Sequence, residues 1–253
     1  MSRPLAASAG QIITGERYVT QITARQSDRL ARAEFRDVVR KLLEPGATVF
    51  DFGAGTGMDA RFYTEQGFKV AAYDVDPQMC EFFAAHCQDL IEAGRVTLTG
   101  GGYRDFLARP TPHAPAVDLV TANFAPLNLI ADLRELFAKF HQLTNPGGRV
   151  LASVLSPYFI GDLKYRWWWR NVLRLWRTGR YSVPGAQAPI VRRRVSDFAE
   201  QSMPYFTLRS VLRGLPTPGR RNNASVGSDA RAFGTVLSLS TSRYMFLLFE
   251  RRD

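Results

Sequence analysis

Cysteine and histidine are scarce in this chain. It has two cysteines, Cys80 and Cys87, with six residues between them, and three histidines, His86, His113 and His141. The cysteine pair is not a C-x-x-C and has no second pair to complete a tetrahedral site. His86 stands beside them, but three ligands crowded on one helix do not surround an ion. No metal is expected, and both thiols are expected to be reduced, as in a cytoplasmic protein. Long apolar runs are missing too. No uncharged stretch approaches the roughly 20 residues that a membrane-spanning helix needs. The opening MSRPLAASAGQIITGERY lacks the apolar core of a secretory signal, so the expected location is the cytoplasm. Acid is in short supply: 23 Asp and Glu stand against 33 Lys and Arg, a net charge of +10. Such a balance suits nucleic acid, anionic lipid or an anionic small molecule, and total charge does not choose among them.

Apolar residues are plentiful. They make up 45% of the 253 residues, enough for one sizeable core. Residues 24–43 pattern as a helix, with Phe35, Val38, Val39, Leu42 and Leu43 on one face. Glu44-Pro45-Gly46 stops it. Short apolar runs then alternate with helical stretches. Strands are expected at 47–52, 69–73, 95–99, 117–122 and 149–155. Helices are expected at 58–66, 77–93 and 129–143, and a turn at 145–148. Strands separated by helices imply a parallel sheet covered on both faces. After 155 the rhythm breaks. A Trp- and Arg-rich helix and a Pro/Gly-containing loop fill 156–204. Two more strands are expected at 206–213 and 244–250, with a polar stretch at 216–242 between them.

The first strand runs into a glycine turn, VFDFGAGTGMDA over residues 49–60. Missing side chains let the backbone bend sharply and let a ligand lie against it. The dinucleotide fingerprint G-x-G-x-x-G would place its third glycine at position 58, where Met58 stands. A nicotinamide or flavin site is therefore disfavoured. The second strand ends at Asp74, 21 residues after Gly53, where a carboxylate can accept both hydroxyls of a ribose. Asp76 and Pro77 then open a helix as cap and first residue.

Three segments resemble the class I methyltransferases that use S-adenosylmethionine. VFDFGAGTG is similar to their first motif, AAYDVDPQM to their second, and LTNPGGRVLASV to their fifth-strand segment. The resemblance covers roughly residues 24–155. It implies a Rossmann-like α/β fold, a seven-stranded mostly parallel sheet with the last strand antiparallel, plus a helical lid. It implies that Gly53, Ala54, Gly55 and Gly57 hold the methionine part of the cofactor, with Asp51 orienting the turn. Asp74, with Val75 beside it, would bind the ribose. The family's acid after the third strand is replaced by glycine at 101 or 102, so Gly102 and Tyr103 are left to meet the adenine. Asn123 and Phe124, after the fourth strand, would border the sulfonium. Tyr18 and Arg25, ahead of the first strand, are candidates for the cofactor carboxylate. The implied organisation is an N-terminal helical cap at 1–46, a core at 47–155, a lid at 156–204 and closing strands at 205–253, all one domain.

The acceptor is less legible. Asn123 is followed by Phe-Ala-Pro, which departs from the Pro-Pro-Tyr/Phe of relatives that methylate adenine or glutamine nitrogens. Asn128 reads as a helix cap. No histidine has a carboxylate at dyad spacing, so no catalytic base is assigned. KYRWWWRNVLRLWRTGR, residues 164–180, forms a helix with one arginine face and an aromatic remainder. From 157 to 194 nine basic residues stand against one acid. The stretch reads as a lid over the acceptor, with Tyr158, Trp167, Trp168 and Leu127 as candidate acceptor contacts. Plain core packing and an anionic membrane surface are the competing roles. The expected activity is methyl transfer to a small apolar or aromatic molecule at oxygen. The alternatives are an RNA methyltransferase and a membrane- or partner-binding protein without turnover.

Overall fold

The computed structural model describes residues 26–110, 116–185, 188–213 and 240–253. In chain order they form α1 (Gln26–Leu42), β1 (Thr48–Phe52), α2 (Met58–Glu65), β2 (Lys69–Asp74), α3 (Pro77–His86), α4 (Gln88–Glu92) and β3 (Val96–Gly100). Next come α5 (Tyr103–Ala108), β4 (Val117–Ala122), α6 (Arg134–Leu143) and β5 (Thr144–Leu155). The chain continues through α7 (Arg166–Thr178), β6 (Arg180–Val183), β7 (Ile190–Arg193), α8 (Val195–Ser202), β8 (Phe206–Arg213) and β9 (Tyr244–Arg251).

Seven strands make one sheet in the order β3-β2-β1-β4-β5-β9-β8. The pairs among β1 to β5 are parallel, and β9 runs antiparallel between β5 and β8. The last strand thus inserts antiparallel, as the resemblance implied. Alternation along β1 explains how the sheet is covered. Phe50 and Phe52 point into a core under α5, α6 and α8, with Phe106, Phe137, Phe140 and Phe198. Val49 points the other way, into a core with Phe35, Val39, Phe68 and Phe83 from α1 to α3. Asp51 shares that second face.

Local signals hold where they are chemical. The Asp76 side chain accepts from the Gln78 amide at 2.9 Å, and Pro77 opens α3. Longer expected elements break up. The stretch 77–93 is two helices that meet at the buried Cys87. The expected turn at 145–148 lies inside β5 as a bulge, where the register passes from Val117↔Thr144 to Leu119↔Arg149. Asn128 is not a helix cap. Its side chain accepts from the Leu155 amide at 3.0 Å and donates to the Val191 carbonyl at 2.6 Å.

The stretch 156–204 holds more order than a helix and a loop. The antiparallel pair β6–β7 and helix α8 lie within it. Its basic excess is also not all at the surface. Arg192 and Arg193 are buried. Arg192 pairs with Asp162 at 3.2 Å and donates to the Ser156 carbonyl. Arg193 pairs with Asp197 at 3.0 Å and donates to the carbonyls of Leu127, Ile130 and Ala131. Arg192 thus fixes β7 against the segment that follows β5, and Arg193 fixes it against the segment that follows β4.

Candidate active site

The site lies at the carboxyl ends of β1 and β4, where an open parallel sheet leaves strand ends uncovered. Gly53, Gly55 and Gly57 have φ of 72°, 57° and 79°. These left-handed angles are strained for any residue with a Cβ. Space is also missing at Gly57, where a Cβ would meet the Cys87 sulfur at 2.8 Å and the Phe83 ring at 3.0 Å. The turn is fastened to β2, because the Gly53 and Ala54 amides both donate to the Tyr73 carbonyl, at 2.8 and 3.1 Å. Asp74 completes the attachment. Its Oδ2 accepts from the Gly55 amide at 2.7 Å and its Oδ1 from the Asp76 amide at 2.9 Å. Burial raises the Asp74 pKa, while these amides oppose the rise. A carboxylate has about four lone-pair sites, so two remain for hydroxyl donors.

Asp51 accepts a 2.7 Å hydrogen bond from Thr121, its register partner on β4. Its other oxygen, Oδ2, is buried with no partner. Burial first, and then the nearby Asp59 carboxylate, push Asp51 up to about 7. Asp59 is itself paired. Arg32 and Arg36, one helical turn apart on α1, each reach it at 2.6 Å. Asn123 adds a donor at 3.0 Å. Arg36 also donates to the Met58 carbonyl.

The loop after β4 is held in an uncommon shape. Phe124 and Ala125 have φ of 59° and 67° without being glycine, which costs about 1 kcal/mol or more each. Contacts compensate. Asn123 accepts from the Phe124 amide at 2.9 Å, and the Ala125 amide donates to the Ser153 carbonyl at 2.9 Å. The Phe124 ring carries the Arg32 guanidinium at 4.5 Å and meets the Tyr244 ring edge-on at 5.5 Å.

A cleft is lined by Asp51, Gly53, Ala54, Gly55, Asn123 and Phe124, together with Arg32, Thr56, Met58 and Asp59. Six residues named from the sequence therefore meet in one place. Gly57 packs behind the turn, and Val75 is exposed beyond Asp74. Gly102 precedes α5, and Asp105 reaches back to within 2.9 Å of where a Gly102 Cβ would stand. The Tyr103 hydroxyl is buried, and burial with the Glu135 charge raises its pKa. Leu127 is fully buried in the core beneath α6. Trp168 is buried and donates to the Pro157 carbonyl at 3.1 Å, whereas Trp167 and Tyr158 are half-buried. Tyr18, Arg25 and His113 lie outside the described residues. His86 ends α3 and His141 sits against Tyr205, both away from the cleft.

Arg32, Arg36, Asp59 and Thr121 were not singled out from the sequence. The available signal was the four-residue spacing of the two arginines and an acid in the first turn after the glycines. Neither says that the two helices meet. No group of three or more metal-binding side chains occurs among the described residues.

The residues present fit an S-adenosyl group. Turned glycines leave backbone open to the cleft, Asp51 offers an unpartnered carboxylate oxygen for an ammonium, and Asp74 retains acceptor capacity for a ribose. The curated relatives agree in kind. The malonyl-[acyl-carrier protein] O-methyltransferase of Serratia marcescens is 30% identical over 142 residues, 54% of this chain and 51% of that one. The chain thus spans about half the length of this relative. A similar fold occurs in the Burkholderia thailandensis 1,6-didemethyltoxoflavin-N1-methyltransferase, with TM-score 0.60 and 19% identity over 100% of this chain and 94% of that one. It occurs again in an S-adenosylmethionine dependent methyltransferase from Mesorhizobium loti, with TM-score 0.56 and 21% identity over 85% and 96%. The family model described as Methyltransferase domain matches residues 24–210, and the chain belongs to that family, the class I S-adenosylmethionine-dependent methyltransferases.

Proposed function

We propose that this chain transfers the cofactor's methyl group to a small, largely apolar or aromatic acceptor at an oxygen that is already ionised near neutral pH. When bound, the cofactor supplies an electrophilic methyl on a sulfonium. The protein's part is to position the partners and exclude water. The observation that carries the reading is the cleft itself, where Asp51 and Gly53–Gly55 face Asn123 and Phe124. In this reading Asp51 takes the ammonium and Asp74 the ribose. Arg32, which lines the same cleft, is assigned the carboxylate in this reading, and Gly102 and Tyr103 the adenine.

The acceptor side rests on two observations. Aromatic rings gather next to the cleft, with Phe124 against Tyr244. Trp167 lies between Tyr165 at 5.9 Å and Tyr181 at 6.2 Å. The segment 156–204 serves as the lid, with Tyr158, Trp167 and Trp168 on the acceptor side. No histidine among the described residues borders the cleft, and an ionised oxygen needs no general base. The Serratia marcescens relative is named as an O-methyltransferase, which supports oxygen.

The test is incubation with methyl-labelled cofactor and host small-molecule, lipid and RNA extracts. Label is expected in a small-molecule or lipid fraction and is expected to leave on mild alkali, as a methyl ester does. Alkali-stable label in RNA would replace this reading with the RNA alternative.

A further inference from the structure

The outer side of α7 is a surface that the proposed transfer does not use. With Arg166 at zero and about 100° per residue, the buried Leu175 and Trp168 fall near 180° and 200°. The opposite arc is exposed and divided. Trp176, Trp169 and Leu173 fall near 280°, 300° and 340°. Arg166, Arg177, Arg170 and Arg174 continue from about 0° to 80°. Trp169 is 59% exposed, Leu173 69% and Trp176 53%, with Ile160 and Tyr165 exposed just ahead of the helix. Five of the nine large apolar side chains exposed among the described residues therefore cluster here, which separates this patch from scattered surface apolars.

The charge beside it is of one sign. The four arginines are exposed, and none forms an ion pair among the described residues. The one acid between 157 and 194, Asp162, is buried against Arg192, and Asp197, which lies beside Gly179 at the end of α7, is paired with Arg193. Lys164 and Arg180 extend the basic border at either end. Apolar and basic halves side by side on one helix match the boundary of an anionic bilayer, where indoles rest among headgroups and guanidinium groups meet phosphates. Single-stranded RNA would use stacking rings, but Leu173 and Ile160 have none to offer. The Trp169 indole N–H already donates to the Leu163 carbonyl at 2.8 Å, so its ring enters an apolar layer without an unpaired donor. No helix among the described residues is long and apolar enough to cross a membrane.

We propose that α7 docks this protein on an anionic lipid surface, with Trp169, Leu173 and Trp176 in the interfacial layer and the arginines toward headgroup phosphates. Trp168, bonded to the Pro157 carbonyl, ties that helix to the end of β5. The docked helix would hold the carboxyl edge of the sheet beside the lipid.

The experiment uses the full chain with vesicles of phosphatidylcholine alone and of phosphatidylcholine mixed with phosphatidylglycerol. Co-sedimentation is expected with the anionic vesicles, falling as salt rises, together with a blue shift of tryptophan emission. The triple variant Trp169→Ser, Leu173→Ser, Trp176→Ser should lose roughly tenfold or more in binding. The pair Arg170→Glu, Arg174→Glu should lose on the order of tenfold as well. The helical bands of circular dichroism should be unchanged in the arginine pair, whose side chains are exposed. Because Trp169 also bonds the Leu163 carbonyl and meets the Trp168 ring edge-on, Leu173→Ser, Trp176→Ser is the apolar variant that keeps those contacts, and it too should lose binding with an unchanged spectrum. Equal binding to both vesicle types, no binding, or full binding by all the variants overturns the proposal. So does capture of RNA or an acidic protein by this face without any vesicle binding.

Discussion

The backbone amide of Gly55 donates to Asp74 Oδ2 at 2.7 Å, so the acid at the end of β2 holds the glycine turn at the end of β1. One side chain thus shapes the turn and keeps lone pairs for a ligand. Asp74→Ala should weaken S-adenosylhomocysteine binding about 10- to 150-fold, given roughly 1.5–3 kcal/mol for hydrogen bonds to a charged group. Isothermal titration measures it, and unchanged affinity would remove the ribose assignment.

Asp51 should make both stability and binding depend on pH. Its pKa in the folded protein, about 7, lies above that of an unfolded aspartate, about 3.9. The stability associated with its protonated form is full below the unfolded value and is lost as pH rises through 7. Asp51→Asn should therefore raise the melting temperature by an amount that grows between about pH 4 and 7 and then levels off. If Asp51 faces the ligand ammonium, binding near pH 7 should release a proton. Calorimetry in buffers of different ionisation enthalpy would detect the release, and it should vanish in Asp51→Asn.

Asp59→Ala should destabilise the fold by roughly 3 kcal/mol, because Arg32 and Arg36 would lose their shared carboxylate in a part-buried setting. That corresponds to a drop on the order of 6–12 °C for a chain of this size. Thermal unfolding followed by circular dichroism would register it. A change under about 2 °C would show that the pairs are solvated and weak.

Gly57→Ala combines a left-handed φ of 79° with a Cβ 2.8 Å from the Cys87 sulfur. Overpacking and backbone strain together should cost roughly 2–4 kcal/mol. Adding Cys87→Ala should restore the sulfur's part of the packing share and leave the backbone share and the Phe83 contact at 3.0 Å. A double-mutant cycle by urea unfolding separates the two, and complete additivity would exclude the contact.

Much of the fold was legible because it rests on local chemistry. The alternation of short apolar runs with helices marked β1 to β5, and Asp76-Pro77 marked the start of α3. The missing third glycine at Met58 turned the glycine loop away from dinucleotides. The single expected helix over 77–93 failed at Cys87, whose burial against Gly57 is a contact between distant segments. Asn128 departs from the helix-cap expectation for the same reason. Its cap-like position is local, but its partners, Leu155 and Val191, are far along the chain.

The amino-acid sequence alone determined the layered α/β order, the turn at Gly53–Gly57 and the acid at Asp74. Periodicity, glycine torsions and strand ends are properties of neighbouring residues. Only the tertiary structure brought Arg32 and Arg36 of α1 onto Asp59 and left Asp51 Oδ2 buried without a partner. It also buried Arg192 and Arg193 while leaving the arginines of α7 outside. Whether a charge is paired, buried or exposed depends on which distant surfaces meet, and no local pattern carries that information.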